Sequence, residues 1–334
     1  MRERSQIDIS IVVVTYNSRD FIENCLSSLY KINMPKFEIF VVDNNSTDDT
    51  VKIVEKYYRQ VNLIQNSINY GFAKANNMAI EKASGKYILL INPDVVISSG
   101  IIDFFYSEME RNKDIGLLGY GTLFSRKGKF LLSIQKRPSF LSEYFWLLGL
   151  GNRFLAKGIL KREVQKRDVK PGGLYEAGWV SGGFLFFRRK AILDINGMDD
   201  NFFLFHEEMD VAKRLWDTNK WKVMVAIPSN NCGIQHFKHH TTKKNRLISD
   251  IADVWSSIYF GKKHFGSLAA ILYYSTIMLL EPLKFFIYFI LSIFFPSRKN
   301  YKRKIAQHLL IIRNFLNLSD LAYRIANAPK YKND

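Results

Sequence analysis

Apolar residues in the first third of the chain alternate between two textures. Residues 9–15 form a β-branched run, too short to span a membrane and patterned like a strand buried on both faces. Behind a cap offered by Asn17 or Ser18, residues Phe21, Ile22, Cys25, Leu26 and Leu29 recur at helical spacing. Residues 38–42 predict a second strand, followed by helical spacing at Val51, Ile53, Val54 and Tyr57. Residues 61–65 read as a third short strand, 73–82 as a helix, and 87–91 as a fully apolar fourth strand. The alternation predicts an α/β fold with a mostly parallel sheet flanked by helices. Ligands of such sheets bind where the strands end. The polar groups there are Thr15-Tyr16-Asn17, Asp43-Asn44-Asn45, residues 66–71 and Asn92-Pro93-Asp94.

The texture changes over residues 125–170, where Lys and Arg are frequent, acids are scarce and an aromatic stretch lies at 140–146. This reads as a basic loop-and-helix insertion. A compact pattern returns from Glu176, with Trp179-Val180-Ser181-Gly182-Gly183 ahead of an apolar run. The division expected is a sheet-based domain over residues 1–240 and a helical extension over 241–334. In that extension two apolar runs, 268–280 and 283–295, are separated by Glu281-Pro282. Each falls short of the ~20 residues that span a bilayer, and together they would place an acid near its centre. With the polybasic segment 298–304 behind them, they predict a monotopic hairpin or interfacial helix pair on an anionic membrane surface. A hydrophobic helix pair buried in the fold or in a dimer interface is the plainer alternative.

Composition narrows the partners. A net charge of +17, from 48 Lys plus Arg against 31 Asp plus Glu, favours anionic ligands: nucleic acid, acidic phospholipid or phosphorylated small molecules. The two cysteines, Cys25 and Cys232, exclude a disulfide framework by count and fit a reducing cytoplasm. The charged N-terminus carries no signal-peptide apolar core, so the expected location is cytoplasmic, on the inner face of the membrane.

Candidate chemistry starts at Asp94. A carboxylate closing a buried strand is aimed at the crevice above the sheet, where a divalent ion bridging two phosphates needs one or two such groups. It would equally serve as a helix or turn cap. Thr15, Tyr16, Asn17 and Asp43 can read a base and a ribose from neighbouring strand ends, with Asn45 beside them. The Asn69-Tyr70-Gly71 turn permits close backbone approach to a ligand. A second acidic cluster, Glu207, Glu208 and Asp210, precedes Arg214 at the spacing of a helical ion pair. One of its two adjacent glutamates can act as the general base that a weakly nucleophilic hydroxyl needs. His236, with His239 and His240 close behind, is a further candidate metal ligand.

Taken in order, these motifs resemble the family 2 inverting glycosyltransferases, and within them the bacterial rhamnosyltransferase-like enzymes of cell-surface polysaccharide assembly. The resemblance covers residues 8–240 and rests on Ser10–Asn17, Val41–Asp48, Asn69–Ala73, Asn92–Asp94, Trp179–Gly183, Gly197–Asp200 and Glu207-Glu208. It implies the Rossmann-like GT-A fold, with a nucleotide half over residues 8–100 fused to an acceptor half over 101–240, and a nucleoside site at Thr15, Tyr16, Asn17 and Asp43, with Asn45, Asn69, Gly71 and Asn92 nearby. Asp94 and His236 would hold Mg²⁺ or Mn²⁺. Trp179, Ser181, Gly182 and Gly183 would line the donor and acceptor pocket. Glu208 falls at the position of the family's base, with Glu207 as the neighbouring alternative. Asn92 stands where many members carry an aspartate. The implied partners are a nucleotide-diphosphate sugar (dTDP-rhamnose or a UDP-sugar), a glycan or polyprenyl-linked acceptor and an anionic membrane; nucleic acid is not expected. A nucleotidyltransferase would show a glycine-rich basic loop after the first strand, where Thr15-Tyr16-Asn17-Ser18-Arg19 stands. A dehydrogenase would need G-x-G-x-x-G there. A non-catalytic nucleic-acid or anion binder would explain the charge and leave the crevice acids without a role.

Overall fold

The N-terminal β-branched run is a strand buried along its whole length, β1 (Ile9–Thr15), because both neighbours pair with it in parallel: β2 (Phe37–Asp43) and β4 (Tyr87–Ile91). The computed structural model describes residues 7–31, 35–121, 123–126, 129–148, 163–166, 169–170, 172–228, 233–236, 246–296, 299–317, 321, 324 and 327. They fall into two compact units. One comprises Met1–Pro138, Arg162–Asp200 and Glu207–Thr241; the other comprises Ser139–Lys161, Asn201–His206 and Thr242–Asp334.

The first unit is built on an eight-stranded sheet. β3 (Asn62–Gln65) lies beyond β2 at one edge. On the other side of β4 come β11 (Phe184–Arg188), β6 (Ile115–Tyr120), β12 (Lys222–Ala226) and the edge strand β10 (Leu174–Glu176). β11 and β10 run antiparallel to their neighbours; the other pairings are parallel. Period-two alternation divides the central strands between two cores. Val12, Val42, Leu90, Leu185 and Phe187 point to one face. There they meet α3 (Phe72–Ile80), α6 (Arg189–Asp194) and α7 (Glu207–Asp217). Ile11, Val13, Val41, Leu89 and Phe186 point to the other, against α1 (Arg19–Leu29), α2 (Thr50–Tyr57) and α4 (Ile101–Arg111). The expected α/β sheet flanked by helices is therefore present.

Two expectations need correction. The basic 125–170 segment contains a three-stranded antiparallel sheet, β7 (Leu123–Arg126), β8 (Lys129–Gln135) and β9 (Glu163–Lys166), as well as the helix α5 (Phe140–Leu147). Glu163-Val164-Gln165-Lys166 has little strand propensity of its own and becomes a strand by pairing with β8, a context the local pattern does not carry.

The second correction concerns the two apolar runs, which form one 28-residue helix rather than a hairpin. In the second unit α8 (Arg246–Phe265) is followed by α9 (Ser267–Phe294), with Pro282 inside it, and by α10 (Lys299–Arg313). Proline removes one backbone hydrogen bond, but Met278-Leu279-Leu280 and Leu283-Lys284-Phe285-Phe286 offer no turn-forming residue to reverse the chain. Glu281 is buried, with its carboxylate held by Lys284 and by His308 of α10. Tyr273 and Ile277 share this buried side with Ile251, Ile258 and Ile311, and Tyr144 of α5 bonds Thr276 at 2.7 Å. Leu268, Ile271, Met278, Leu279, Phe286 and Ile290 are exposed at helical spacing along the opposite side.

Candidate active site

The strand ends on the β1–β2–β3 side carry one continuous polar network. Thr15 lies directly opposite Asp43 in the sheet and donates from Oγ1 to Asp43 Oδ1 at 2.8 Å. Asp43 also accepts from the Ser46 backbone N–H at 2.8 Å and from the Ser46 hydroxyl. With 2% exposure and three donors, this carboxylate shapes the turn after β2. Asn17 and Asn45 take positive φ, 49° and 65°, a conformation asparagine tolerates. Asn17 accepts the Thr47 N–H at 2.8 Å, locking the loop after β1 to the loop after β2.

Asparagines carry the network onward. Asn44 Nδ2 donates to the Gly71 carbonyl at 2.9 Å, and Asn66 Nδ2 donates to Asn44 Oδ1 at 3.0 Å. Asn69 accepts the Gly71 N–H at 2.9 Å and bonds the Tyr16 hydroxyl. Burial pushes the Tyr16 phenol up, with Asn69 pulling the other way. Gly71, at φ 84°, opens α3. Thr15, Tyr16, Asn17, Asp43, Asn45, Asn69 and Gly71 are thus brought together. Asn44 and Asn66, read from sequence only as part of the polar groups past β2 and β3, are the side chains that link those groups.

The second half of the site forms where β11 inserts antiparallel beside β4. Phe184 pairs with Ile91, so the Trp179–Gly183 segment arrives at the end of the Asp94 strand. Asn92 N–H donates to the Gly183 carbonyl at 3.2 Å. A Cβ built on Gly182 would lie 3.9 Å from Cδ and Oε1 of Glu208. The loop carrying Asp94 and the first turn of α7 therefore meet through Gly182 and Gly183. Ser181 is exposed, and Trp179 is half-buried against the core that α7 also covers. Asp94 itself is 7% exposed. Behind it Cys25 directs its thiol to the Asn92 carbonyl at 3.6 Å. Burial, and then the charge of Asp94, push this thiol up to about 12. Cys25 is an inert buried group that packs under the acidic turn.

Val95–Ile97 (β5) continues from Asp94 and pairs with β13 (Ile234–His236), placing the His236 backbone opposite Val95. The side chain of His236 and the whole of Cys232, His239 and His240 lie outside the described residues.

On α7, Glu207 is 4% exposed and Glu208 is half-buried. Burial raises the Glu207 carboxyl well above the usual range, and the charges of Glu208 and Asp210 raise it further. Asp210 is fully buried and pairs with Arg214 Nε at 2.7 Å, the i,i+4 contact expected from spacing. Arg214 also donates to the carbonyls of Ile195 and Gly197. Gly197 has φ 75°, and Asn77 of α3 clasps the next residue from both sides, donating to the Met198 carbonyl and accepting its N–H. The Gly197–Asp200 motif is thus a clamp that fixes α7.

Among the described residues no three His, Cys, Asp or Glu side chains gather as a metal cage. One hard carboxylate at a strand end, Asp94, suits a Mg²⁺ or Mn²⁺ ion that takes most of its shell from phosphate oxygens and water. The donor set present fits such an ion.

Residues 10–165 match the family model described as glycosyl transferase family 2. Over 270 residues the chain is 26% identical to the N-acetylglucosaminyl-diphospho-decaprenol L-rhamnosyltransferase of Mycobacterium tuberculosis, covering 77% of this chain and 85% of that protein. A poly(ribitol-phosphate) beta-glucosyltransferase of Bacillus spizizenii is 39% identical over 117 residues, 33% of this chain and 18% of that protein. Among solved structures, GalNAc-T7 with UDP, GalNAc and Mn²⁺ shares the fold at a TM-score of 0.52 and 12% identity, over 70% of this chain and 44% of that one.

Proposed function

We propose, from the match of residues 10–165 to the glycosyl transferase family 2 model and from the shared fold, that the chain is a family 2 GT-A glycosyltransferase that transfers a sugar from a nucleoside diphosphate to a hydroxyl of a glycan or polyprenyl-linked acceptor, with inversion. L-Rhamnose is the first candidate sugar, supported by the mycobacterial relative and by the acceptor in that relative's name. One observation supports the reading: Asn92, two residues before Asp94, bonds the Gly183 carbonyl, and Gly182 next to it faces the Glu208 carboxyl.

Chemistry follows from that pairing. The Tyr16–Asn17 turn, Asn45, Asn69 and the Gly71 backbone receive the nucleoside; Asp43 contributes by holding the turn that shapes this pocket. Glu208 takes the proton of the acceptor hydroxyl as its oxygen attacks the anomeric carbon, and the nucleoside diphosphate leaves from the opposite face. Trp179 and Ser181 flank the approach. Asp94, with His236 beside its strand, would hold a divalent ion, whose chemistry is to offset charge on the departing diphosphate. In the second unit the exposed apolar stripe of α9 and the basic start of α10 support docking on an anionic membrane from the cytoplasmic side, where a lipid-linked acceptor lies.

The test is nucleotide release by the full chain from dTDP-rhamnose, UDP-GlcNAc or UDP-glucose, with Mn²⁺, Mg²⁺ or EDTA. Asp94→Asn is expected to lose nearly all turnover while remaining folded, and Glu208→Gln to lose ~10²-fold or more in kcat. Full activity in Asp94→Asn would refute the assignment of that acid. Full activity in EDTA would refute the metal.

A further inference from the structure

With 28 residues, α9 is about 42 Å long, enough to cross the ~30 Å hydrocarbon core of a bilayer. Its packing opposes a crossing. Tyr288 meets Tyr301 at 6.0 Å between ring centroids, Glu281 bonds His308 at 2.5 Å, and Tyr274 meets Phe315, just past α10, at 5.3 Å. The contacts step by seven residues down α9 and by seven up the α10 chain, the repeat of an antiparallel helix seam. The seam covers residues 274–288 and leaves only 267–273 and 289–294 beyond it, each far short of the ~20 residues that span. Within the covering stretch of α10 lie Lys302, Arg303, Lys304 and Gln307, and Arg303 and Lys304 reach Asp250 of α8 at 2.7 and 3.1 Å. A crossing α9 would draw these groups into hydrocarbon together with Glu281 and His308, where charged side chains are costly.

The side of α9 turned away from the seam is of another kind. Leu268, Ile271, Leu279, Phe286, Ile290 and Ile293 form one helical stripe along its whole length, each between 37% and 82% exposed. The only charges of the helix, Glu281 and Lys284, bond each other on the opposite side. We propose that α9 is an in-plane membrane anchor: the stripe sinks lengthwise into one leaflet of an anionic bilayer, the seam with α10 stays on the water side, and the helix does not cross. This rests on the reading of the helical unit as membrane-docked. Charge selects a lipid surface as the occupant. Lys262 and Lys263, exposed at the end of α8, and Lys302, exposed on α10, stand beside α9. A second copy of a chain with net charge +17 would bring like charges against these cations, whereas anionic headgroups attract them.

Depth measurement on the full chain tests the orientation. Ile271→Cys, Leu279→Cys, Phe286→Cys and Ile293→Cys, made singly in a Cys232→Ser background with the buried Cys25 left in place, each receive a nitroxide label. The labelled proteins are bound to vesicles of phosphatidylglycerol and phosphatidylcholine, and the label's collisions with oxygen and with a water-soluble nickel chelate report its depth. All four labels should lie at one shallow depth, about 5–10 Å into the headgroup and acyl boundary. Labels at 279 and 286 near the bilayer centre, with those at 271 and 293 near its opposite surfaces, would overturn the proposal in favour of a crossing helix. Labels that meet the chelate as freely as in solution, on protein that still floats with the vesicles, would also overturn it, and a dimer in sedimentation equilibrium would then assign the stripe to a second copy. Protein that does not float with the vesicles at all would remove the membrane reading itself, an outcome distinct from flotation with the wrong depths.

Discussion

Removing Arg214 probes the clamp behind the acidic helix start. Asp210 is fully buried, and Arg214 meets its Oδ2 at 2.7 Å while capping the carbonyls of Ile195 and Gly197. Arg214→Met preserves the aliphatic stem but removes the arginine charge from a buried carboxylate, a change that costs about 3–5 kcal/mol. At roughly 2–4 °C per kcal/mol for a unit of this size, the melting temperature should fall by about 6–20 °C. The double variant Asp210→Asn/Arg214→Met removes both charges, so only the two uncapped carbonyls and the lost packing remain, about 1–3 kcal/mol. Thermal unfolding of wild type, both single variants and the double variant, followed by circular dichroism, closes the cycle. The double variant should be more stable than Arg214→Met alone. A drop below 2 °C in Arg214→Met, or a double variant as unstable as the sum of the singles, would refute this account of a buried charge pair.

Gly178→Ala would place a Cβ 1.9 Å from the Arg137 backbone nitrogen, with no flexible side chain to yield, so a loss of about 3 kcal/mol or more is expected by urea unfolding. The raised Glu207 carboxyl gives a pH signature. Its stabilising contribution is complete below the unfolded value near ~4.3 and declines by about 1.4 kcal/mol per pH unit as pH rises toward the folded value. Stability measured at pH 5, 6 and 7 should therefore lose that slope in Glu207→Gln; an unchanged slope would count against a protonated Glu207. Charge in the exposed stripe of α9, as Phe286→Glu with Ile290→Glu, should abolish flotation with anionic vesicles yet leave nucleotide release in solution intact. Retained flotation would assign the stripe to another partner.

Much of the sheet half was legible because its signals are local. A β-branched run buried on two faces, a polar turn after it and a helical repeat behind identify strand, loop and helix without outside information, as at residues 9–29. That Asp43, Asn69 and Asp94 follow strands ending on one side of the sheet was readable for the same reason, since parallel strands deliver their ends to one side. The Asp210–Arg214 pair needed only helical spacing. Glu163–Lys166 was not readable, because its strand state depends on pairing with β8.

Sequence alone determined the α/β alternation, the polar groups past each strand and the acidic pair on α7, since each depends on periods of two or 3.6 residues. The tertiary structure decided what those groups mean. Antiparallel insertion of β11 between β4 and β6 brings Gly182-Gly183 to Asn92 and Glu208, residues far apart in the chain. Closure of α7 over the core strips water from Glu207 while Glu208 stays half-buried. Burial and the shift in proton affinity it causes are properties of packed neighbours, and no spacing along the chain encodes them.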